Sequence, residues 1–112
     1  MITNYQINTN IFKESLLKEL REKSVNSEFE ICGFVLNGCF LERSNVHPDK
    51  KNFFVISPKD CIWDKSAVLF HSHPKHINIK GFSEWDIENQ YYFNLDALLY
   101  SVNNDEFYFR KS

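Results

Sequence analysis

The sequence predicts an α+β fold in a single domain, with a mixed but mostly antiparallel β-sheet flanked by helices. An amphipathic pattern near the N-terminus is typical of a helix, and an Asn-Gly dipeptide separates two apolar runs as in a β-hairpin. A continuous apolar run at residues 67–70 has the composition of a central, fully buried strand. At 112 residues, the chain is long enough to bury one hydrophobic core and too short for two domains.

Composition and charge argue against several classes of partner. The net charge of -2 gives no general electrostatic reason to bind nucleic acid or an anionic membrane. No apolar run approaches the roughly 20 residues that span a bilayer, and the N-terminus lacks the pattern of a signal peptide, so we expect a cytoplasmic protein. The cysteines Cys32, Cys39 and Cys61 contain no Cys-x-x-Cys motif, and we expect them to be buried or half-buried thiols.

The first half of the chain predicts one helix and three strands. Thr9 or Asn10 offers an N-cap for a helix that includes Phe12 and runs to about residue 24. Residues 31–36 and 39–44 should pair as a hairpin around Asn37-Gly38, because both turn positions need positive φ. The apolar residues 53–57 predict a third strand, followed by a turn or short helix that begins at Pro58.

The second half continues the sheet. The buried strand at residues 67–70 leads into a His-Ser-His-Pro stretch at 71–74, and a loop follows. Ser83 is a good N-cap for a helix with acidic residues in its first turn. Residues 95–102 and 106–110 predict the last two strands, separated by a turn.

Two histidines and an aspartate have the pattern of a metal site. Side chains on a strand repeat every second residue, so His71 and His73 can point the same way. Asp86, returned by the following helix, would add an oxygen ligand and leave a fourth position open, as in catalytic zinc sites. Zinc suits these ligands best, although manganese, iron or cobalt would also fit. We expect His76 and His47 to lie in surface loops outside the site.

A hydrolase of this type also needs a general base near the metal. Glu28, Glu30 and Glu84 are the carboxylates predicted to lie near the ends of strands or helices, and their spacing does not choose among them. From its position alone, Glu30 at the start of the first strand is more typical of solvated surface than of a carboxylate that reaches into a site at the end of the strand.

As a set, His-Ser-His-Pro at 71–74, Ser-Glu-Trp-Asp at 83–86 and Glu-Ile-Cys-Gly at 30–33 resemble the signature of the JAMM (JAB/MPN) metalloproteases. The resemblance covers about residues 10–110. It looks most like the bacterial and phage branch, which includes JAB domains of phage tail assembly proteins and prokaryotic ubiquitin-type deconjugases. It implies a JAB/MPN-like fold with layers like those of cytidine deaminase.

By this resemblance, His71, His73 and Asp86 are the zinc ligands. Glu30 matches the family glutamate that holds the zinc-bound water and passes its proton to the leaving amine. Ser83 matches the serine that helps to stabilise the tetrahedral oxyanion. The resemblance implies a zinc-dependent peptidase or isopeptidase with a peptide or protein substrate, and a ubiquitin-like tail or a phage tail protein is a candidate.

One spacing differs from the family pattern. The loop of residues 75–82 is eight residues long, two more than is usual. Because a short insertion in a surface loop costs little, we expect the ligands to stay in place, whereas the substrate bound beside the loop can differ. Two alternatives remain open: a non-catalytic binding or phage tail assembly module with this fold, and a hydrolase of peptidoglycan stem peptides.

Overall fold

The computed structural model describes residues 11–112, which form one five-stranded sheet and two α-helices. In chain order, the elements are α1 (Glu14–Val25), β1 (Cys32–Leu36), β2 (Cys39–Arg43), a 3₁₀ turn (Pro58–Asp60), β3 (Val68–His73), α2 (Glu84–Phe93), β4 (Asp96–Ser101) and β5 (Glu106–Arg110). The strand order is β2-β1-β3-β4-β5, and every pair is antiparallel except β3 with β4. The predicted α+β class with a mostly antiparallel mixed sheet is confirmed, and β3 is the central strand.

Helix α1 begins later than the sequence predicts. The proposed caps, Thr9 and Asn10, lie outside the described residues. Phe12 precedes the helix and contacts the ring of Phe109 edge-on at 6.0 Å, and Lys13 is the N-cap with an extended backbone. The helix buries one leucine-rich face, as predicted: Leu16, Leu17 and Leu20.

The β1–β2 hairpin forms where the Asn-Gly pair predicts it. Asn37 and Gly38 have φ of 54° and 76°, the left-handed values that a tight hairpin turn requires. Gly33 lies where the neighbouring strand passes closely, since a Cβ there would be 2.9 Å from the Cα of Glu42. The expected burial of Cys39 is wrong: it is exposed, because it begins an edge strand directly after the turn. Cys32 is buried and Cys61 half-buried, as expected.

The predicted third strand at residues 53–57 is wrong. The segment is extended but pairs with no strand of the sheet. Asn45 and Val46 bond its backbone instead. Asn45 Oδ1 accepts from the N–H of Val55 at 3.2 Å and Asn45 Nδ2 donates to the carbonyl of Phe53 at 3.0 Å, while the Val46 N–H donates to the carbonyl of Val55 at 2.9 Å. Phe54 and Ile56 are nevertheless buried. An alternating apolar pattern shows only that an extended segment packs on one side, and this segment packs on the sheet rather than within it.

Both faces of the sheet are covered. Helix α1 packs on one face, in a cluster that includes Leu20, Val35, Phe70 and Leu98. On the other face, residues from α2 and the segment 53–57 form a second cluster that includes Phe34, Phe54, Leu69 and Phe93. Because side chains alternate along β3, His71 and His73 lie on the same face as Leu69, towards α2. In the described part of the chain, no helix is long and apolar enough to cross a membrane.

Candidate metal centre

The two histidines lie on the last residues of the central strand. His71 and His73 belong to β3 itself rather than to the loop after it, and each is only 1% exposed. Strands β1 and β4 flank β3, so the backbone of His71 is paired on both sides, with Cys32 and Leu99, while that of His73 is paired with Ser101 of β4. The strand thus presents two nitrogen donors from a rigid support.

Asp86 is brought to the histidines by the first turn of α2. Its Oδ1 is 3.1 Å from Nε2 of His71, and its Oδ2 is 3.0 Å from Nε2 of His73. The carboxylate is held by a capping box: Oδ2 accepts from the backbone N–H of Ser83 at 2.8 Å, while the Ser83 Oγ accepts from the N–H of Asp86 at 3.1 Å. The predicted N-cap at Ser83 is confirmed, and the same cap orients the oxygen donor.

Glu30, which lies two residues before β1, is the fourth residue of the buried group. It is 3% exposed, and the possibility that it is solvated surface is excluded. Its backbone is held on both sides, because its N–H donates to the carbonyl of Lys50 at 2.8 Å and its own carbonyl accepts from Asn45 Nδ2 at 3.0 Å. One potential ligand atom from each of Glu30, His71, His73 and Asp86 lies within 4.8 Å of the others.

Sequence reasoning missed Ser72 and Phe54. The Ser72 Oγ accepts from the backbone N–H of Ile31 at 2.9 Å, and its N–H donates to the Ile31 carbonyl at 2.9 Å, so the serine ties the chain next to Glu30 onto β3. The alternation of side chains along a strand could have indicated Ser72, since it must face away from the two histidines. Phe54 stacks on the His71 ring with 4.7 Å between centroids, and only tertiary packing shows it.

The electrostatics leave both Asp86 and His73 in the form that binds metal. Burial acts to raise the pKa of the Asp86 carboxyl, but its interactions with the two imidazoles outweigh burial and hold that pKa well below its usual range. Burial lowers the pKa of His73 more than Asp86 raises it. Asp86 is therefore ionised and His73 neutral at neutral pH, as metal coordination requires.

Glu30 behaves differently from Asp86. Burial, with smaller contributions from the charges of Asp86 and Asp49, raises the pKa of Glu30 to about 9. In the absence of a cation, this carboxyl group holds its proton at neutral pH. Two nearby carboxyl groups with pKa values moved in opposite directions are typical of a site that both binds and transfers protons.

Several polar atoms of the group lack partners within residues 11–112. No hydrogen bond is made by Glu30 Oε1, His71 Nδ1, His71 Nε2 or His73 Nδ1, although His71 Nε2 lies close to Asp86 without the alignment of a hydrogen bond. Buried polar atoms rarely lack a hydrogen-bond partner, and a bound ion would provide a partner for some of these atoms. Bonds of about 2.0–2.1 Å in a tetrahedral zinc site place ligand atoms roughly 3.3 Å apart. The Asp86 oxygens lie 3.1 Å and 3.0 Å from the nitrogens of His71 and His73, which is close to that separation. The four residues could therefore hold a metal ion.

Compared with protein-family models and with curated proteins, the chain matches none. The resemblance to JAMM metalloproteases accordingly remains a prediction that rests on the motif residues.

The other candidates from the sequence lie outside this group. Glu28 and Glu84 are exposed, so among the three carboxylates considered as bases only Glu30 enters the site. His76 is exposed, with Nε2 3.0 Å from Asn52 Oδ1. His47 is half-buried beside the ring of Phe53, at 5.0 Å between centroids. Neither histidine is part of the candidate metal centre.

Proposed function

We propose that this protein is a zinc-dependent peptidase or isopeptidase of the JAMM type, in which His71, His73 and Asp86 hold the metal. Bound there, zinc would lower the pKa of a coordinated water and polarise the carbonyl of an amide. The support comes from the donor set, which combines neutral imidazole and carboxylate, and from the close approach of Asp86 to both histidines at 3.1 Å and 3.0 Å.

The observation that carries the proposal is the position and state of Glu30. The cluster offers four possible ligands, of which we assign His71, His73 and Asp86 to the metal; the fourth, the buried Glu30 carboxyl group, has an Oε1 without a partner among the described residues. With three protein ligands, the metal keeps the open position that is typical of a catalytic zinc site. Near a cation, the Glu30 carboxyl group would ionise and become a base. We assign to it the transfer of a proton from the attacking water to the nitrogen of the leaving amine.

The reaction then balances within the site. The water oxygen bonds to the amide carbon, the carbon–nitrogen bond breaks, and the proton taken up by Glu30 goes to the departing nitrogen, which gives a carboxylic acid and an amine. Ser83 is the proposed oxyanion donor. Its Oγ accepts from the N–H of Asp86, so the hydroxyl proton remains available to a substrate oxygen. We propose an extended peptide as substrate, with a ubiquitin-like tail or a phage tail protein as candidates.

Metal analysis combined with cleavage assays tests this function. Wild type, Glu30→Gln and a matched control, Glu84→Gln, are loaded with zinc and assayed on a ubiquitin-like tail, a phage tail protein and a peptidoglycan stem peptide. Glu84 is exposed at the start of α2, so its variant should cleave as the wild type does. Loss of the base should reduce cleavage about 10²- to 10⁴-fold while zinc content stays the same.

The outcomes separate the alternatives. Cleavage of only the stem peptide would make the protein a peptidoglycan hydrolase. A protein with full zinc occupancy that cleaves none of the three substrates would be a non-catalytic binding or tail assembly module. Loss of zinc from Glu30→Gln would make Glu30 a ligand rather than a base.

A further inference from the structure

An open cleft lies beside the candidate metal centre. It has a volume of about 800 Å³, and its walls are formed by the end of α1 with the residues after it and by the start of the loop after β3. Both walls are close in sequence to residues of the candidate metal centre, because Pro74 follows His73 and Glu28 lies two residues before Glu30. Since consecutive Cα atoms are about 3.8 Å apart, the Cα of Glu28 is at most about 8 Å from that of Glu30, and the Cα of Pro74 is about 3.8 Å from that of His73.

The charge of the cleft is opposite to that of the whole chain. The chain carries a net charge of -2, but the cleft has two ammonium groups, Lys51 and Lys75, and one carboxylate, Glu28. Within residues 11–112, neither lysine makes an ion pair or a side-chain hydrogen bond. Val25 and Pro74 add apolar surface. A cleft of this kind is complementary to a ligand with an apolar body and a negative charge.

The backbone around the two lysines is held in place. Lys51 follows Lys50, whose carbonyl accepts from the N–H of Glu30 at 2.8 Å. The carbonyl of Lys75 accepts from Asn103 Nδ2 at 2.9 Å. The contact of His76 with Asn52 at 3.0 Å joins the two lysine-bearing segments. Only the flexible lysine side chains need to become ordered when an anion binds, which limits the entropy cost of recognition.

We propose that this cleft is the subsite that receives an acidic residue of the substrate. This inference rests on the proposed hydrolase function and specifies its substrate class: a peptide with a carboxylate near the amide bond to be cleaved. An extended peptide advances about 3.3 Å per residue, so the span of at most about 8 Å between the Cα atoms of Glu28 and Glu30 is matched by two or three residues of substrate. We therefore place the acidic side chain, or a free α-carboxylate, two or three residues from the scissile bond.

The test measures binding separately from cleavage. Zinc-loaded Glu30→Gln protein is titrated into two fluorescein-labelled peptides of alanine and glycine, one with two central glutamates and the other with two glutamines. Fluorescence anisotropy gives each dissociation constant. The glutamate peptide should bind on the order of tenfold more tightly, and this advantage should shrink as the ionic strength rises.

Charge variants in the same background assign the effect to the cleft. Lys51→Glu and Lys75→Glu should each weaken binding of the glutamate peptide by about tenfold, whereas Glu28→Gln should strengthen it. Lys111→Glu is the matched control, because this substitution makes the same change in net charge. Lys111 is exposed just after β5, near the start of β4 and away from the candidate metal centre. All these positions are exposed, so the variants should fold.

Failure of this inference differs from failure of the proposed function. Equal binding of the two peptides, or an equal effect of Lys111→Glu and Lys51→Glu, would overturn the acidic subsite even if the wild type cleaves peptides. Lysine-dependent binding of the glutamate peptide, without cleavage by the wild type, would establish the subsite and overturn hydrolysis.

Discussion

Removal of the Ser72 hydroxyl should destabilise the fold and displace Glu30 while leaving the three candidate ligands His71, His73 and Asp86 in place. The Ser72 Oγ accepts from the N–H of Ile31 at 2.9 Å and is 0% exposed at the residue level. Ser72→Ala leaves this amide without a partner, at a cost of about 1–3 kcal/mol for a buried donor. Ile31 is only half-buried, so we expect the lower part of that range, about 1–2 kcal/mol.

The expected change in melting temperature follows from chain length. Unfolding entropy of about 2.1 cal/mol/K per residue gives roughly 0.24 kcal/mol/K for the 112 residues. A loss of about 1–2 kcal/mol should then lower the melting temperature by roughly 4–9 °C. Calorimetry on chelator-treated protein measures this change without a contribution from metal binding.

Ser24→Ala is the matched control. Ser24 is 1% exposed, and its hydroxyl donates to the Leu20 carbonyl at 2.7 Å within α1. That carbonyl also belongs to the hydrogen-bond ladder of the helix, so the free energy of unfolding of Ser24→Ala should stay within about 0.5 kcal/mol of the wild-type value. If Ser72→Ala melts at the same temperature as Ser24→Ala, the serine does not anchor the Glu30 segment and the reasoning is wrong.

Two further predictions concern buried titratable groups. In chelator-treated protein, the wild type should lose stability relative to Glu30→Gln as pH rises, because burial raises the pKa of Glu30 from 4.5 to about 9. The stabilising proton is fully present below about pH 4.5 and is lost as pH rises through about 9, so urea denaturation of both proteins from about pH 5 to 8 should show diverging stabilities, and parallel curves would contradict the assignment. Iodoacetamide should modify the exposed Cys39 and spare Cys32, because burial excludes the reagent and raises the pKa of the Cys32 thiol to about 12. Peptide mass spectrometry measures both sites, and equal modification in folded protein would refute the burial of Cys32.

Features that depend on neighbouring residues could be predicted from the sequence. The hairpin at Asn37-Gly38 follows from a local need for positive φ, and the buried strand that carries His71 and His73 follows from a continuous apolar run. The cap at Ser83 is likewise a property of a few adjacent residues. Because each of these elements depends on local sequence, the approach of Asp86 to the two histidines could also be predicted.

Features that depend on distant contacts could not be predicted in the same way. Glu28 and Glu30 differ by two positions, yet one is exposed and the other buried, because only Glu30 enters the site formed with β3. The bond that holds its neighbour Ile31 joins residues 41 positions apart. The segment 53–57 has the composition of a strand, but its backbone bonds the Asn45 side chain and the backbone of Val46 and Asp49 rather than a strand of the sheet, which no periodic pattern reveals.

The candidate ligands and the candidate base come from two separate units of the fold. His71, His73 and Asp86 all lie in the continuous stretch from β3 to the first turn of α2, whereas Glu30 comes from the segment that leads into the β1–β2 hairpin. In the proposed hydrolase, metal binding and water activation would therefore depend on different segments of the chain. A single substitution at Glu30 would then remove hydrolysis and leave the metal ligands and the exposed surface unchanged, so one substitution would separate a proposed enzyme from a non-catalytic binding protein of the same fold.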